Sequence, residues 1–158
     1  MSTTIKPSTL IVNISESIIL NGINRGGSST YEINSIAYID NRIMTISNDL
    51  NGTGILSLAT GTGSGVHDPD KVKYIRLTNL DDANDITIAI ALYTFASAES
   101  IGLNLPAGKS IVIGDTNDAG DTQTSGDVDN LSLKDIVGLT GKADTAPSQL
   151  EVYVASIR

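Results

Sequence analysis

The chain has 158 residues, of which 40% are hydrophobic and only 18% are charged, and its formal net charge is −8. The length fits one domain, and the charged fraction lies below the roughly 25% of typical domains, so neutral Ser, Thr, Asn and Gly must form much of the surface. The negative charge argues against nucleic-acid binding, the lack of cysteine excludes disulfides and thiolate metal sites, and no apolar stretch approaches the ~18 residues of a membrane span.

The first third of the chain contains short apolar runs between turn residues. A strand is predicted from Leu10 to Ile14, and a second run, Ile18 to Leu20, reaches Asn21-Gly22, a dipeptide that favours a tight turn. Residues 24–33, NRGGSSTYEI, are predicted to form a flexible loop. Three strands follow, in IAYID, RIMTIS and TGILSLAT, and Asp40-Asn41 separates the first two of them.

The stretch KYIRLTNLDDANDITIAIAL has the clearest alternation. It predicts one strand on each side of a short acidic loop, and in the second strand Ile86, Ile88 and Ile90 share an apolar face while Thr87 and Ala89 lie opposite. One apolar and one mildly polar face are typical of an antiparallel strand, because a central parallel strand is apolar on both faces.

The last third predicts a hairpin, one short helix and a terminal strand. IGLNLPAGKSIVIGD has alternating residues on both sides of the turn residues 106–108. LSLKDIVGLTGK is the one candidate helix, with Ser132 as N-cap and Gly138 or Gly141 at its end. QLEVYVASI alternates again and predicts a strand that pairs with one from the first half of the chain.

These elements predict an all-β fold: an antiparallel β-sandwich, jelly-roll-like or Ig-like, with at most one short helix. About eight strand-like runs at sandwich spacing and the absence of long helical crossovers support this. We expect a flexible N-terminal arm over residues 1–9 and a single sandwich domain over residues 10–158. The segment MSTTIKPSTLIVNIS lacks the charged start and apolar run of a signal peptide, so synthesis and folding in the cytosol are expected.

Two motifs bear on catalysis or phosphate binding. His67, the single histidine, is followed by Asp68 and Asp70, but no serine lies in a nucleophile-elbow pattern, and an exposed loop histidine explains the stretch better. Zinc needs three or four ligands that one histidine and no cysteine do not supply. GTGSG, Gly61 to Gly65, runs into acidic residues rather than Gly-Lys-Ser/Thr, so a mobile loop is favoured over a phosphate site.

An acidic loop, Asp115–Asn130, is the best candidate for a ligand. Its oxygen donors suit Ca²⁺, and they are Asp115, Asn117, Asp118, Asp121, Asp127 and Asp129. DTNDAG matches three positions of a calcium loop, but Ala119 and Gly126 occupy two other defining positions. A solvated loop is therefore favoured, and we predict no catalytic, cofactor-binding or metal-binding residue and no cofactor.

A carbohydrate site is also disfavoured by composition. Glycosidase chemistry needs two carboxylates in a cleft, and the chain has few glutamates, which are Glu16, Glu32, Glu99 and Glu151. It has no tryptophan, and its tyrosines lie mostly at strand positions, where packing is the simpler role; they are Tyr31, Tyr38, Tyr74, Tyr93 and Tyr153.

Three stretches carry a family resemblance: KYIRLTNLDD (Lys73–Asp82), LPAGKSIVI (Leu105–Ile113) and LEVYVAS (Leu150–Ser156). Together they resemble a pattern in small β-sandwich virion structural proteins of tailed bacteriophages, in which a strand, a Pro-x-Gly hairpin and a terminal strand follow one another. The resemblance covers roughly the second half of the chain. It implies a non-enzymatic capsid decoration (cement), fibre or tail-associated protein that acts as an oligomer, and it transfers no catalytic residues.

The leading hypothesis is therefore a virion structural protein, folded in the host cytoplasm, that binds the major capsid protein or other virion proteins as a homo-oligomer, with a trimer expected. It predicts no enzyme activity, no nucleic-acid partner and no membrane partner. The alternative is a glycan- or receptor-binding module of a phage fibre or tail, with Tyr31 and residues 61–68 near its site. A hydrolase that uses His67 and the acidic loop is the third and least favoured hypothesis.

Overall fold

The computed structural model describes residues 6–59, 66–93, 98–114 and 136–158, and the regular secondary structure within these ranges is β-strand throughout. The strands are β1 (Ser8–Ser15), β2 (Ile19–Leu20), β3 (Ile23–Asn24), β4 (Ser28–Ile46), β5 (Thr53–Leu58), β6 (Val66–His67), β7 (Val72–Asn79), β8 (Ile86–Tyr93), β9 (Ala98–Leu105), β10 (Ser110–Gly114), β11 (Ile136–Ala143) and β12 (Ser148–Ile157). The prediction of an all-β sandwich is confirmed.

Ten of these strands form two five-stranded sheets. Sheet 1 has the order β1-β4-β12-β7-β10, and sheet 2 has the order β6-β5-β11-β8-β9. Eight strands pair as a nested antiparallel set: β4 with β12, β5 with β11, β7 with β10 and β8 with β9. Nested pairs divided between two sheets are the arrangement of a jelly roll rather than an Ig-like domain. The terminal strand pairs with β4, as its sequence predicts.

Alternate side chains from both sheets form the apolar core. Sheet 1 supplies Ile75 and Leu77 from β7, and sheet 2 supplies Ile86, Ile88 and Ile90 from β8. The core side chains with almost no exposed surface are Ile46, Val72, Ile75, Leu77, Ile86, Ile88, Leu105, Ile136, Leu139, Leu150, Val152 and Val154. Each such burial contributes about 1.5–3 kcal/mol before entropy is counted. The predicted apolar face of β8 is confirmed, and Thr87 opposite it is exposed.

The predicted turn at Asp40-Asn41 is wrong. β4 is one strand of 19 residues whose register shifts near Ser35, at a φ of 63°, and Asp40 and Asn41 stay extended opposite Val154 and Tyr153 of β12. The ladder with β12 supplies the backbone hydrogen bonds of this dipeptide, and that pairing outweighs its local preference for a turn.

The predicted hairpin around LPAGK is also wrong, although a turn is present. Gly108 has a φ of 66°, and the Lys109 N–H donates to the Pro106 carbonyl oxygen at 3.1 Å. However, β9 before the turn belongs to sheet 2, and β10 after it belongs to sheet 1. The turn therefore joins the two layers, and β9 pairs with β8 instead.

The predicted helix is wrong where the structure describes it, because residues 136–143 form β11. Gly138 and Gly141, predicted to end the helix, are strand glycines at close approaches. A Cβ on Gly141 would lie 2.9 Å from Ile55 Cδ1, and a Cβ on Gly138 would lie 3.1 Å from the Leu56 carbonyl oxygen. Glycine here permits the core to close on β11. The proposed N-cap, Ser132, lies outside the described residues.

Candidate functional site

A two-stranded ribbon extends from sheet 1. The first part of β4 pairs with β1, from Leu10 opposite Ile33 to Ser15 opposite Ser28, whereas the pairing of β4 with β12 begins only at Ile36. β2 and β3 continue the register of β1 and β4 to Leu20 opposite Ile23. We call residues 8–35 the ribbon.

The ribbon ends in the turn that its sequence predicts. Asn21 and Gly22 have φ values of 52° and 74°, and two positive φ angles are the requirement of a type I′ hairpin turn. Between this turn and β1, the Glu16 N–H donates to the Gly27 carbonyl oxygen at 2.7 Å. A Cβ on Gly26 would lie 2.2 Å from the Glu16 carbonyl oxygen, so only glycine fits there.

The prediction of a flexible loop over residues 24–33 is wrong at Asn24, which ends β3, and from Ser28 onwards, where β4 begins. A symmetric sequence pattern about Asn21-Gly22 indicates this pairing, because stretches of alternating residues of similar length lie on both sides of the turn. Thr30 Oγ1 donates to Asn13 Oδ1 across the two strands at 2.8 Å, which is the polar side of this alternation.

Large apolar side chains cover the ribbon and lie in solvent. They are between 44% and 74% exposed, and they are Ile11, Ile14, Ile18, Ile19, Leu20, Ile23 and Tyr31. From residue 13 to residue 32 every residue is exposed except Gly26, which is intermediate. An isolated two-stranded hairpin is marginally stable in water, and soluble monomers rarely expose apolar patches of this kind. The ribbon is therefore the strongest candidate for a docking surface.

The base of the ribbon packs against the outside of sheet 1. Ile33 and Ile36 are buried in a second apolar cluster with Tyr74 and Ala155, and Leu10 is among the partly buried residues that pack on it. Tyr74 and Ala155 point away from the main core, since their neighbours Ile75 and Val154 belong to that core. Burial raises the pKa of the Tyr74 hydroxyl. The cluster fixes the direction in which the ribbon leaves the sandwich.

The rest of this side of sheet 1, which we call the outer face, is mixed apolar and polar. Ile39, Ile43 and Val112 are about half exposed or more there. Arg76 Nη2 lies 2.9 Å from Glu151 Oε2, and the Arg76 guanidinium carbon lies 5.4 Å from the ring centroid of Tyr153. The charges of the outer face are thus paired with each other and stacked on an aromatic ring.

The open edge of the sandwich holds the single histidine. His67 lies on β6, half-buried rather than on an exposed loop, and its Nε2 is 3.2 Å from Asp40 Oδ2 on β4. Arg42 pairs with the same carboxylate oxygen and donates from Nη2 to the Ile55 carbonyl oxygen at 2.6 Å. Burial, followed by the positive charge of Arg42, lowers the pKa of His67 below its ordinary 6.5.

A groove of about 690 Å³ lies beside Asp40 and Arg42. Met44, Leu56 and Val137 are among the apolar residues that line it. The groove is largely open to solvent, unlike the clefts that enclose most of a small ligand. Asp40 and Arg42 are already committed to each other and to the backbone of β5, so the groove presents one paired charge to a ligand.

The other stretches that the sequence suggested as possible binding or catalytic sites divide into two groups. GTGSG and the acidic loop Asp115–Asn130 lie outside the described residues. Asp68 and Asp70 form a turn, in which the Asp70 N–H donates to Asp68 Oδ1 at 3.0 Å. Across the described ranges, no three His, Asp or Glu residues are grouped as metal ligands would be.

The tyrosines and glutamates do not converge either. Tyr31 and Tyr38 are about half exposed. Tyr74 is buried, and its ring contacts the ring of Tyr153 edge to face, with 6.0 Å between the ring centroids. Glu16 and Glu32 lie on the ribbon, and Glu151 pairs with Arg76. The side chains of Tyr93 and Glu99 lie outside the described residues.

The acidic loop between β7 and β8 serves the fold. Asp81 Oδ1 accepts hydrogen bonds from the N–H groups of Ala83 and Asn84 at 2.9 and 2.8 Å, and these bonds lower the pKa of Asp81. Asn79, fully buried, accepts from the Asp81 N–H and donates to the carbonyl oxygens of Asn84 and Leu105. This network fixes the crossing from sheet 1 to sheet 2.

Comparisons with known proteins found no matching family model, no similar curated protein and no similar solved structure. In the described part of the chain, no helix is long and apolar enough to cross a membrane.

Proposed function

We propose that the chain is a non-enzymatic structural protein of a tailed-bacteriophage virion, and specifically a capsid decoration protein that binds the capsid lattice as an oligomer. The exposed apolar ribbon on a jelly-roll body is the observation that supports this most directly. A ribbon of this kind contributes little to its own sandwich, because no residue from 13 to 32 belongs to either apolar cluster. Its apolar side chains leave water when another protein covers them, and this burial stabilises the complex.

The chemistry of the surface supports the same role. Ser, Thr and Asn occupy many exposed strand positions of the ribbon, so a partner covers it at a low cost in charge desolvation. A capsid presents many identical sites, and an oligomer that binds several of them gains avidity without new kinds of contact. Jelly rolls also occur in viral capsid proteins, which is support by analogy of fold only.

The test is quantitative mass spectrometry of purified particles of the phage that encodes the chain. We expect the protein in a fixed copy number relative to the major capsid protein, retained through a density gradient. Its absence from washed particles, with ready detection in the infected-cell lysate, would contradict the proposal.

A glycan- or receptor-binding module is the second candidate, and the edge groove favours it, because the paired charges of Asp40 and Arg42 lie beside apolar walls. Glycan-array binding that is lost in an Arg42→Gln variant and kept in an Arg76→Gln variant would support this candidate over the lattice role. Equal binding by both variants would remove the groove from consideration.

A further inference from the structure

We propose that the ribbon of one copy binds the outer face of sheet 1 on a second copy, head to tail, so that identical copies close into a ring. This inference deepens the proposed function by naming the partner of the ribbon. The ribbon and the outer face are different surfaces of one chain, so their contact is heterologous, and such contacts generate rings when the rotation closes.

The contacts of the ribbon within its own chain show which kind of surface its apolar side packs on. Leu10 and Val12 share one side of β1 with Ile14, and Tyr31 lies opposite Val12 on the same side. Leu10 and Val12 pack on the cluster of Tyr74 and Ala155, whereas Ile14 and Tyr31, further along, are exposed. The apolar strip thus begins on the outside of sheet 1 and continues beyond it.

The outer face of a second copy offers the same chemistry to the exposed part of the strip. Ile39, Ile43 and Val112 are the exposed apolar side chains there, and Tyr153 adds an aromatic ring. Their strand partners are Ala155, Glu151 and Arg76, which place them on the side of sheet 1 away from the core.

Charge also favours a second copy at these two surfaces. The chain carries a net charge of −8, so copies repel each other in general. The ribbon carries Glu16 and Glu32 against Arg25, and Arg76 and Glu151 neutralise each other on the outer face. The two surfaces are nearly neutral, and two acidic copies meet there with the least repulsion.

The available area fits a contact of modest size. Ile11 lies on the opposite side of the ribbon from Ile14 and Tyr31, and Ile19 lies on the opposite side from Leu20 and Ile23, so at most five of the seven large apolar side chains share one side. That side offers less than the ~800 Å² per partner of a standard interface, but each copy in a ring makes two such contacts, one through its ribbon and one through its outer face.

The experiment measures the mass of the purified chain by size exclusion with light scattering, for the wild type and three double variants. The ribbon variant is Leu20→Ser with Ile23→Ser, and the face variant is Ile43→Ser with Val112→Ser. The matched control is Leu50→Ser with Leu80→Ser, which removes two exposed leucines from loops. Circular dichroism and thermal melting confirm that each variant keeps the sandwich.

We expect the wild type and the control to be oligomeric, at about 50 kDa for three chains of 16.5 kDa, and both other variants to be monomeric. An equimolar mixture of the ribbon variant and the face variant should give a dimer of about 33 kDa, because one intact ribbon then meets one intact face. This dimer is the signature of a head-to-tail contact.

A monomeric wild type, an oligomeric ribbon variant, an oligomeric face variant or a mixture without dimer would each overturn the inference. A monomeric wild type that still binds particles through its ribbon would identify the capsid lattice as the occupant, and it would keep the decoration role while contradicting the oligomer. An oligomer with the expected variants but absent from particles would support the ring and contradict the proposed function.

Discussion

His67 and Asp40 meet across the open edge of the sandwich, with Nε2 and Oδ2 3.2 Å apart although the residues are 27 positions apart in the sequence. β6 of sheet 2 carries the histidine, and β4 of sheet 1 carries the carboxylate. Arg42 shares the same carboxylate, so this small polar cluster links the two sheets at their edge.

The pH dependence of stability should report this contact. Because the folded state lowers the pKa of His67 below 6.5, the unfolded state takes up the proton first as the pH falls. The contribution of His67 to the free energy of unfolding is therefore complete above pH 6.5 and is lost as the pH falls through the folded-state pKa. Urea denaturation at pH 7.5 and at lower pH, for the wild type and His67→Gln, measures it.

Titration of the single histidine by NMR is the companion measurement. We expect a midpoint below 6.5, since burial and Arg42 outweigh the carboxylate of Asp40. A midpoint above 6.5 would mean that Asp40 dominates, and the pH dependence would then have the opposite sign.

The close approach at Gly26 should decide whether the ribbon forms. Gly26→Ala places a methyl group against the Glu16 carbonyl oxygen, whereas a Cβ on the adjacent Gly27 meets nothing within 4 Å. We expect Gly26→Ala to speed amide exchange at Glu16 and Arg25 by about tenfold or more, the equivalent of ~1.4 kcal/mol of local stability. Gly27→Ala is the control, and equal exchange in the two variants would contradict the geometry.

Asn79 should be a strong stability determinant despite its polarity. Asn79→Ala leaves the part-buried carbonyl oxygen of Asn84 and the buried carbonyl oxygen of Leu105 without the side-chain donor, at a cost of about 1–3 kcal/mol. Asn51→Ala, at an exposed loop position, should stay within about 0.5 kcal/mol of the wild type. Chemical denaturation compares the two, and similar values for both variants would refute the assigned role of the network.

Local alternation was sufficient to predict the strands whose two faces differ. β7, β8 and β12 each have one face in the core, and their period of two appears directly in the sequence. Local alternation was not sufficient where the secondary structure of a segment depends on a partner that is distant in the sequence. Asp40-Asn41 has the composition of a turn and stays extended because β12 pairs with it. Gly138 and Gly141 are typical of a helix end in the local sequence, and their role in a strand depends on the distant residues Ile55 and Leu56 that pack against them.

The candidate site was less predictable than the fold. Alternation marks Ile14 and Tyr31 as one side of a strand, but it does not show whether a second layer covers that side. Coverage depends on where the ribbon leaves sheet 1, and the cluster of Ile36, Tyr74 and Ala155 determines that direction. These residues are far apart in the sequence, and each taken alone is typical of an ordinary strand.

Limited trypsin digestion tests most directly whether the ribbon is covered in the virion. Arg25 is an exposed cleavage site near the tip of the ribbon, and Lys109 is an exposed site in the turn at the opposite end of sheet 1. We expect cleavage after Arg25, measured relative to Lys109, to be fast in the monomeric variant Ile43→Ser with Val112→Ser, whose ribbon is intact and uncovered, and at least about tenfold slower for the wild type in intact particles. Equal relative rates at Arg25 in this monomer and in the particle-bound wild type would contradict the docking role of the ribbon.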